Sequence, residues 1–154
     1  DMEIRFIDNQ QHMFLDNEDV TEKIRTPEIS IGASNVGTIP EVRLKMAELQ
    51  REFAEKHNVV MEGRDIGTFV LPNATIKIFL TASLEKRAER RYKELVAKGN
   101  TEITLEDVKR DIEYRDRNDS SRSLAPLTKA PDAIEIDTTD LTVDQVVDKI
   151  IDNL

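Results

Sequence analysis

"VVMEGRDIGTFVLP", residues 59–72, begins as an apolar run and then sets Gly63, Arg64, Asp65 and Gly67 where the chain should turn. The run "NVVME" is expected to form a short buried strand, and "TIKIFLTA", residues 75–82, a second one, with Pro72 and Asn73 turning between them. Arg64 beside Asp65 would then stand at the carboxyl end of a strand, where open α/β sheets bind their ligands. The same two charges could equally form a local structural ion pair.

Working outward, Val42, Met46, Leu49 and Phe53 recur at helical spacing between Pro40 and His57 and predict an amphipathic helix. Ser83 can cap a helix through about Lys98 that Gly99 and Asn100 close, and Thr104 can cap the next, to about Ser120. "LAPLTKAPDA" is a loop by its prolines, "AIEIDTT" a third strand, and Thr142 with Gln145 a capping box for a last helix. Ahead of Pro40, "MEIRFID" and "QHMFLD" predict a strand pair turning at Asn9 and Gln10, with "EDVTEKIRT" as a connector. Strands alternating with helices indicate an α/β layered fold with a mostly parallel sheet and a small antiparallel appendage.

Composition bounds the function. The chain has 154 residues, 38% apolar and 34% charged, which suits one soluble globular domain with at most a small subdomain. It has no cysteine, which removes disulfide and thiolate-metal chemistry and fits a reducing cytoplasm. No run approaches the roughly 20 apolar residues of a membrane span. A net charge of −9 argues against a nucleic-acid polymer as partner.

That average hides an asymmetry. Residues 83–122 carry 11 Lys and Arg against 10 Asp and Glu, and hold seven of the 12 arginines: Arg87, Arg90, Arg91, Arg110, Arg115, Arg117 and Arg122. Such a run can be a solvated pair of helices laced with i,i+4 ion pairs. It can also be an anion site, because the planar guanidinium fork matches phosphate geometry better than a lysine does.

Four stretches together carry a resemblance: "EGRDIGTFVLPNATIKIFLTAS", "RAERR", "YRDRNDSSRSLAPL" and "IDTTDLTVDQVVDKI". In this order and spacing they resemble bacterial cytidylate kinase, a nucleoside monophosphate kinase, and "IRTPEISIGAS" resembles part of that family's acceptor-domain insert. The resemblance implies a P-loop kinase-like three-layer α/β fold, with residues 1–39 as the acceptor insert and 40–154 as the core, including a short lid near 92–104. It implies phosphoryl transfer from ATP to CMP or dCMP with Mg bound to the ATP, by a cytoplasmic monomer.

By the same resemblance, Arg64 grips the CMP phosphate and Asp65 accepts from the cytosine amino group. Ser34 and Arg43 read the base, Arg115 and Arg122 hold phosphates, Asp119 holds the ribose hydroxyls, and Arg87 and Arg91 lie near the lid over ATP. Ser34 could instead cap a helix after a "GAS" turn. Arg90 and Arg117 are expected to be solvated, as are His12 and His57, and Glu62 has no assigned role.

One departure is large. The family's P-loop, G-x-x-x-x-G-K-[ST], cradles ATP phosphates on backbone amides. None of Gly32, Gly37, Gly63, Gly67 and Gly99 precedes a lysine, so the motif is not within these residues. The P-loop and its central strand are therefore expected ahead of Asp1, and the chain by itself is expected to be inactive. Rival readings are a non-catalytic nucleotide-binding module and another P-loop kinase with a different acceptor.

Overall fold

The computed structural model describes residues 2–154. The chain divides into two units, one ending at Val36 and one spanning Gly37–Leu154.

In the first unit, β1 (Met2–Ile7), β2 (Gln10–Leu15) and β3 (Glu18–Asp19) form an antiparallel sheet in that order. The turns are Asp8-Asn9 and Asp16-Asn17, with φ between 49° and 67° at all four residues. The first turn therefore falls one residue earlier than the expected Asn9-Gln10. A two-residue hairpin turn that matches strand twist needs positive φ at both positions, which Asp and Asn tolerate and Gln does not favour. A short 3₁₀ turn, Lys23–Arg25, leads into α1 (Pro27–Val36). Pro27 is fit for a first helical position, and the Thr26 hydroxyl accepts from the Ile29 N–H at 3.3 Å. This helix runs straight through Gly32, so the "GAS" turn expected from sequence does not form and Ser34 lies inside the helix rather than at its cap.

The second unit opens with α2 (Pro40–Lys56). Its inward face is not quite the one that the apolar spacing suggests. Ala47 is buried while Met46 and Phe53 are each 40% exposed. Arg43 and Arg51, four residues either side of Ala47, turn inward instead and satisfy backbone carbonyls. A small residue flanked by two forked donors lets the next segment approach closely.

That segment is the quoted one, and it departs from expectation. Residues 58–62 form no strand, and Val60 is fully exposed. A strand exists only through its ladder partners, and none of the described residues supplies one here. The chain then winds through a single π turn at Ile66–Val70, with i→i+5 bonds from Val70 N–H to Asp65 O and from Leu71 N–H to Ile66 O.

The two strands of the second sheet, β4 (Ile78–Thr81) and β5 (Ile134–Asp137), are parallel and register Ile78 with Ile134 and Thr81 with Asp137. Between them lie α3 (Leu84–Ala97) and α4 (Leu105–Ser120), and α5 (Val143–Ile151) follows. Local capping follows the sequence closely. Ser83 accepts from Lys86 N–H, and Thr104 with Asp107 and Thr142 with Gln145 form reciprocal capping boxes. After α3, Gly99 takes φ 89° while its N–H bonds Val96 O and Asn100 N–H bonds Leu95 O, a Schellman closure.

The core joins α3 to α4. Ala88, Leu95 and Val108 are buried together, with Tyr92, Ile103 and Ile112 against them. The α4 residues Val108, Ile112, Arg115 and Asp119 follow one another at steps of three and four, so they share one stripe. The stripe changes from apolar to charged half-way along, and that change builds the site. The protein is thus a mixed α/β structure with one parallel and one antiparallel sheet.

Candidate functional site

The charged half of α4 faces charges from two other places in the second unit. Asp116 Oδ1 accepts from Arg64 Nη1 at 3.1 Å, and its Oδ2 accepts from Arg87 Nη1 at 2.6 Å. Asp119, 1% exposed, pairs with Arg122 and lies 3.5 Å from Arg64 Nε. Arg87 also donates Nε to Ala82 O at 3.2 Å, which ties its guanidinium to the segment just after β4.

Arg64 and Asp65 do not pair with each other. Arg64 reaches to α4, whereas Asp65 closes on Arg43 of α2 in an ion pair whose side chains are 10% and 15% exposed. Arg43 further donates to Gly37 O at 3.1 Å and approaches Ala125 O at 3.5 Å. The backbone makes this divergence possible. A Cβ at Gly63 would sit 2.8 Å from Ile66 Cγ1, so any side chain there would force Ile66 to shift. Asp65 O then accepts from Phe69 N–H at 2.9 Å, and Arg51 binds the far end of the π turn through Phe69 O and Val70 O. Single π turns recur at functional positions, where they re-aim a side chain.

Arg115 sits within this cluster, and among the described residues it has no carboxylate partner of its own. Burial pushes its guanidinium below the ordinary arginine range, and the positive charges of Arg64 and Arg91 push further in that direction against the pull of Asp119 and Asp116. Its Nε, with those of Arg43 and Arg122, is a buried donor lacking a hydrogen-bond partner. Leaving a buried donor unmade costs roughly 1–3 kcal/mol, so three such donors on arginines of this region are an unusual concentration.

Of the residues singled out from sequence, Arg64, Arg87, Arg115, Asp119 and Arg122 come together, and Arg43 with Asp65 forms the adjoining pair. Arg91 pairs with Glu94 on its own helix at 2.8 Å. Ser34 belongs to the N-terminal unit and is 4% exposed. Arg90, expected to be solvated, is exposed yet anchored: it donates to Thr138 Oγ1 at 3.1 Å and to Leu141 O at 3.2 Å. Two residues were missed from sequence, Asp116 and Arg51. Asp116 had a signal, since it lies three residues before Asp119 and beside Arg115, but an Asp in a charge-rich helix is unremarkable until its partners are known.

Comparison with known proteins shows the family to which the chain belongs. The family model for cytidylate kinase matches residues 1–154. The chain belongs to the cytidylate kinase family. It is 49% identical to the cytidylate kinase of Caldicellulosiruptor bescii over 152 residues, covering 99% of this chain and 67% of that protein. It is 51% identical to that of Lactobacillus gasseri, covering 97% and 64%, and 52% identical to that of Lactobacillus johnsonii, covering 93% and 62%. The chain thus spans about two thirds of the length of the curated relatives it matches. Kinases of this family use ATP, commonly with Mg²⁺, but the residues here do not fit a protein-held metal. Asp65, Asp116 and Asp119 are each committed to arginines, and among the described residues no group of three His, Cys, Asp or Glu is placed to hold an ion. Among the described residues no helix is long and apolar enough to cross a membrane.

Proposed function

We propose that the protein is a phosphotransferase that moves the terminal phosphoryl group of ATP to CMP or dCMP, giving ADP and the corresponding diphosphate. The observation that carries this reading is the cluster of Arg64, Arg87, Arg115 and Arg122 around Asp116 and Asp119, with the partnerless buried donors of Arg43, Arg115 and Arg122. Phosphoryl transfer asks a protein for positioning and for cations around the equatorial oxygens rather than for covalent chemistry.

In this reading Arg64, Arg115 and Arg122 hold phosphate oxygens, Arg87 and Arg91 serve the donor side, and Asp119 holds the ribose hydroxyls. Arg43 and Asp65 read the base. Cytosine offers an exocyclic amino donor beside a ring nitrogen and a carbonyl, so a guanidinium next to a carboxylate complements it. Uracil would set a carbonyl against Asp65, and mismatched buried polar groups of this kind discriminate strongly.

The reading extends to architecture. Residues 1–39 form the acceptor-binding insert and 40–154 the core, whose β4–β5 pair belongs to the mostly parallel sheet of a three-layer fold. The turn between α3 and α4 lies in a lid near 92–104 that closes to exclude water, which would otherwise compete with CMP. Mg²⁺ arrives on the ATP phosphates, and the enzyme works as a cytoplasmic monomer.

The test is ATP-dependent formation of CDP by the full-length protein, with dCMP, UMP and AMP as alternative acceptors. Turnover of CMP and dCMP well above UMP is expected, and a preference for UMP or AMP overturns the acceptor assignment. Residues 1–154 alone, which contain no P-loop motif, are expected to form no CDP.

A further inference from the structure

We infer that Asp116 is a positioning residue that holds Arg64 and Arg87 at a fixed separation for the two phosphates being joined. The inference rests on the phosphotransferase reading above and adds to it a residue that touches neither substrate.

The geometry is specific. Asp116 gives one oxygen to each arginine, Oδ1 to Arg64 and Oδ2 to Arg87, so the bite of a single carboxylate sets how far apart the two forks lie. Both arginines are also braced from a second side, Arg64 by Asp119 and Arg87 by Ala82 O. Each therefore commits only Nη1 and Nε, and among the described residues no partner is recorded for either Nη2. Five donors per guanidinium leave enough to take phosphate oxygens without releasing Asp116. The carboxylate itself has no business with a phosphate, because two anions at contact repel. Its role is to keep cations together that would otherwise spread: Arg64 already disfavours the charge on neighbouring Arg115. Arg64 precedes the π turn and Arg87 stands in the first turn of α3, so Asp116 links a loop to a helix. Small errors in the spacing of reacting groups lower rate far more than binding.

The test uses the full-length protein and its Asp116→Asn and Asp116→Glu variants. In steady-state kinetics Asp116→Asn should lower kcat at least tenfold with KM for CMP within threefold of the parent, and Asp116→Glu should recover most of the loss. In the nucleotide-free protein, arginine side-chain NMR should show at least tenfold faster solvent exchange at both Arg64 and Arg87 in Asp116→Asn. Unchanged kcat, a rise in KM with kcat intact, or a kcat loss that tracks a lowered melting temperature without rescue by Asp116→Glu would each overturn the inference. So would exchange altered at one arginine only or at neither. If the parent protein does not phosphorylate CMP, the proposed function fails, and the arginine exchange alone then decides whether Asp116 holds both.

Discussion

Arg43 and Asp65, 22 residues apart, meet as an ion pair that is almost wholly shielded from water, with side chains 10% and 15% exposed. The pair joins α2 to the residue at which the π turn begins, and it forms at the expense of any contact between Asp65 and its neighbour Arg64. A guanidinium and a carboxylate held side by side present a donor and an acceptor next to one another.

Asp65→Ala should act on both stability and recognition. Removing one member of a shielded pair strands the other, and the expected loss is about 2–3 kcal/mol in denaturant unfolding of the full-length protein. CMP affinity, followed by calorimetric titration, should fall on the order of 100-fold, because in the proposed function this carboxylate accepts from the cytosine amino group. Equal binding of CMP and UMP by the unaltered protein would show that Asp65 does not read the base.

Arg90→Ala should lower stability by roughly 1–2 kcal/mol while leaving KM for CMP unchanged. The side chain spans from α3 to the Thr138–Leu141 turn that follows β5, and its loss removes the donors that Thr138 Oγ1, Thr139 O and Leu141 O accept from. Arg90→Lys should recover little, because an ammonium cannot reach the same acceptors as a fork. A change in KM with an unaltered melting temperature would instead place Arg90 in the site.

Thr104→Ala should destabilise α4 by about 1 kcal/mol. Thr104 Oγ1 accepts from Asp107 N–H at 3.1 Å and Asp107 Oδ2 accepts from the Thr104 backbone N–H at 3.0 Å, so the substitution removes the hydroxyl half of the box and leaves the Asp107 half without its reciprocal bond. Hydrogen exchange at residues 105–107 should quicken while that at 115–119 stays slow. Uniform quickening along α4 would mean that the cap holds the whole helix.

In the N-terminal unit, acid should act through Asp19. The Thr21 hydroxyl, then the Thr21 N–H, then His12 hold its carboxylate from an ordinary 3.8 down to about 2. A depressed native value means that the unfolded chain takes up the proton first, so the contribution is complete above about pH 4 and fades as pH falls toward 2. Carboxyl chemical shifts should titrate with a midpoint near 2, and Thr21→Val should move it upward. A midpoint of 3.8 in the unaltered protein would remove Asp19 from the unit's acid response.

What could be read from sequence is what short-range chemistry decides. Ser83, Thr104 with Asp107, Thr142 with Gln145, and Gly99 end or begin helices through bonds to residues at most five away, and those bonds need nothing from the rest of the chain. The cytidylate kinase resemblance was legible for a related reason, as it rests on residue types in order. Tertiary structure decided the rest. Whether Val59 to Glu62 become a strand depends on a ladder partner, and none is found among the described residues. Which face of α2 turns inward depended on carbonyls that only a folded π turn presents to Arg51, and on Asp65 arriving beside Arg43. Arg64 and Asp65 are adjacent in sequence yet pair with partners 52 and 22 residues away, because a backbone turn separates neighbours more readily than side chains do. Asp116 gained its meaning only when two arginines from different elements met on its two oxygens.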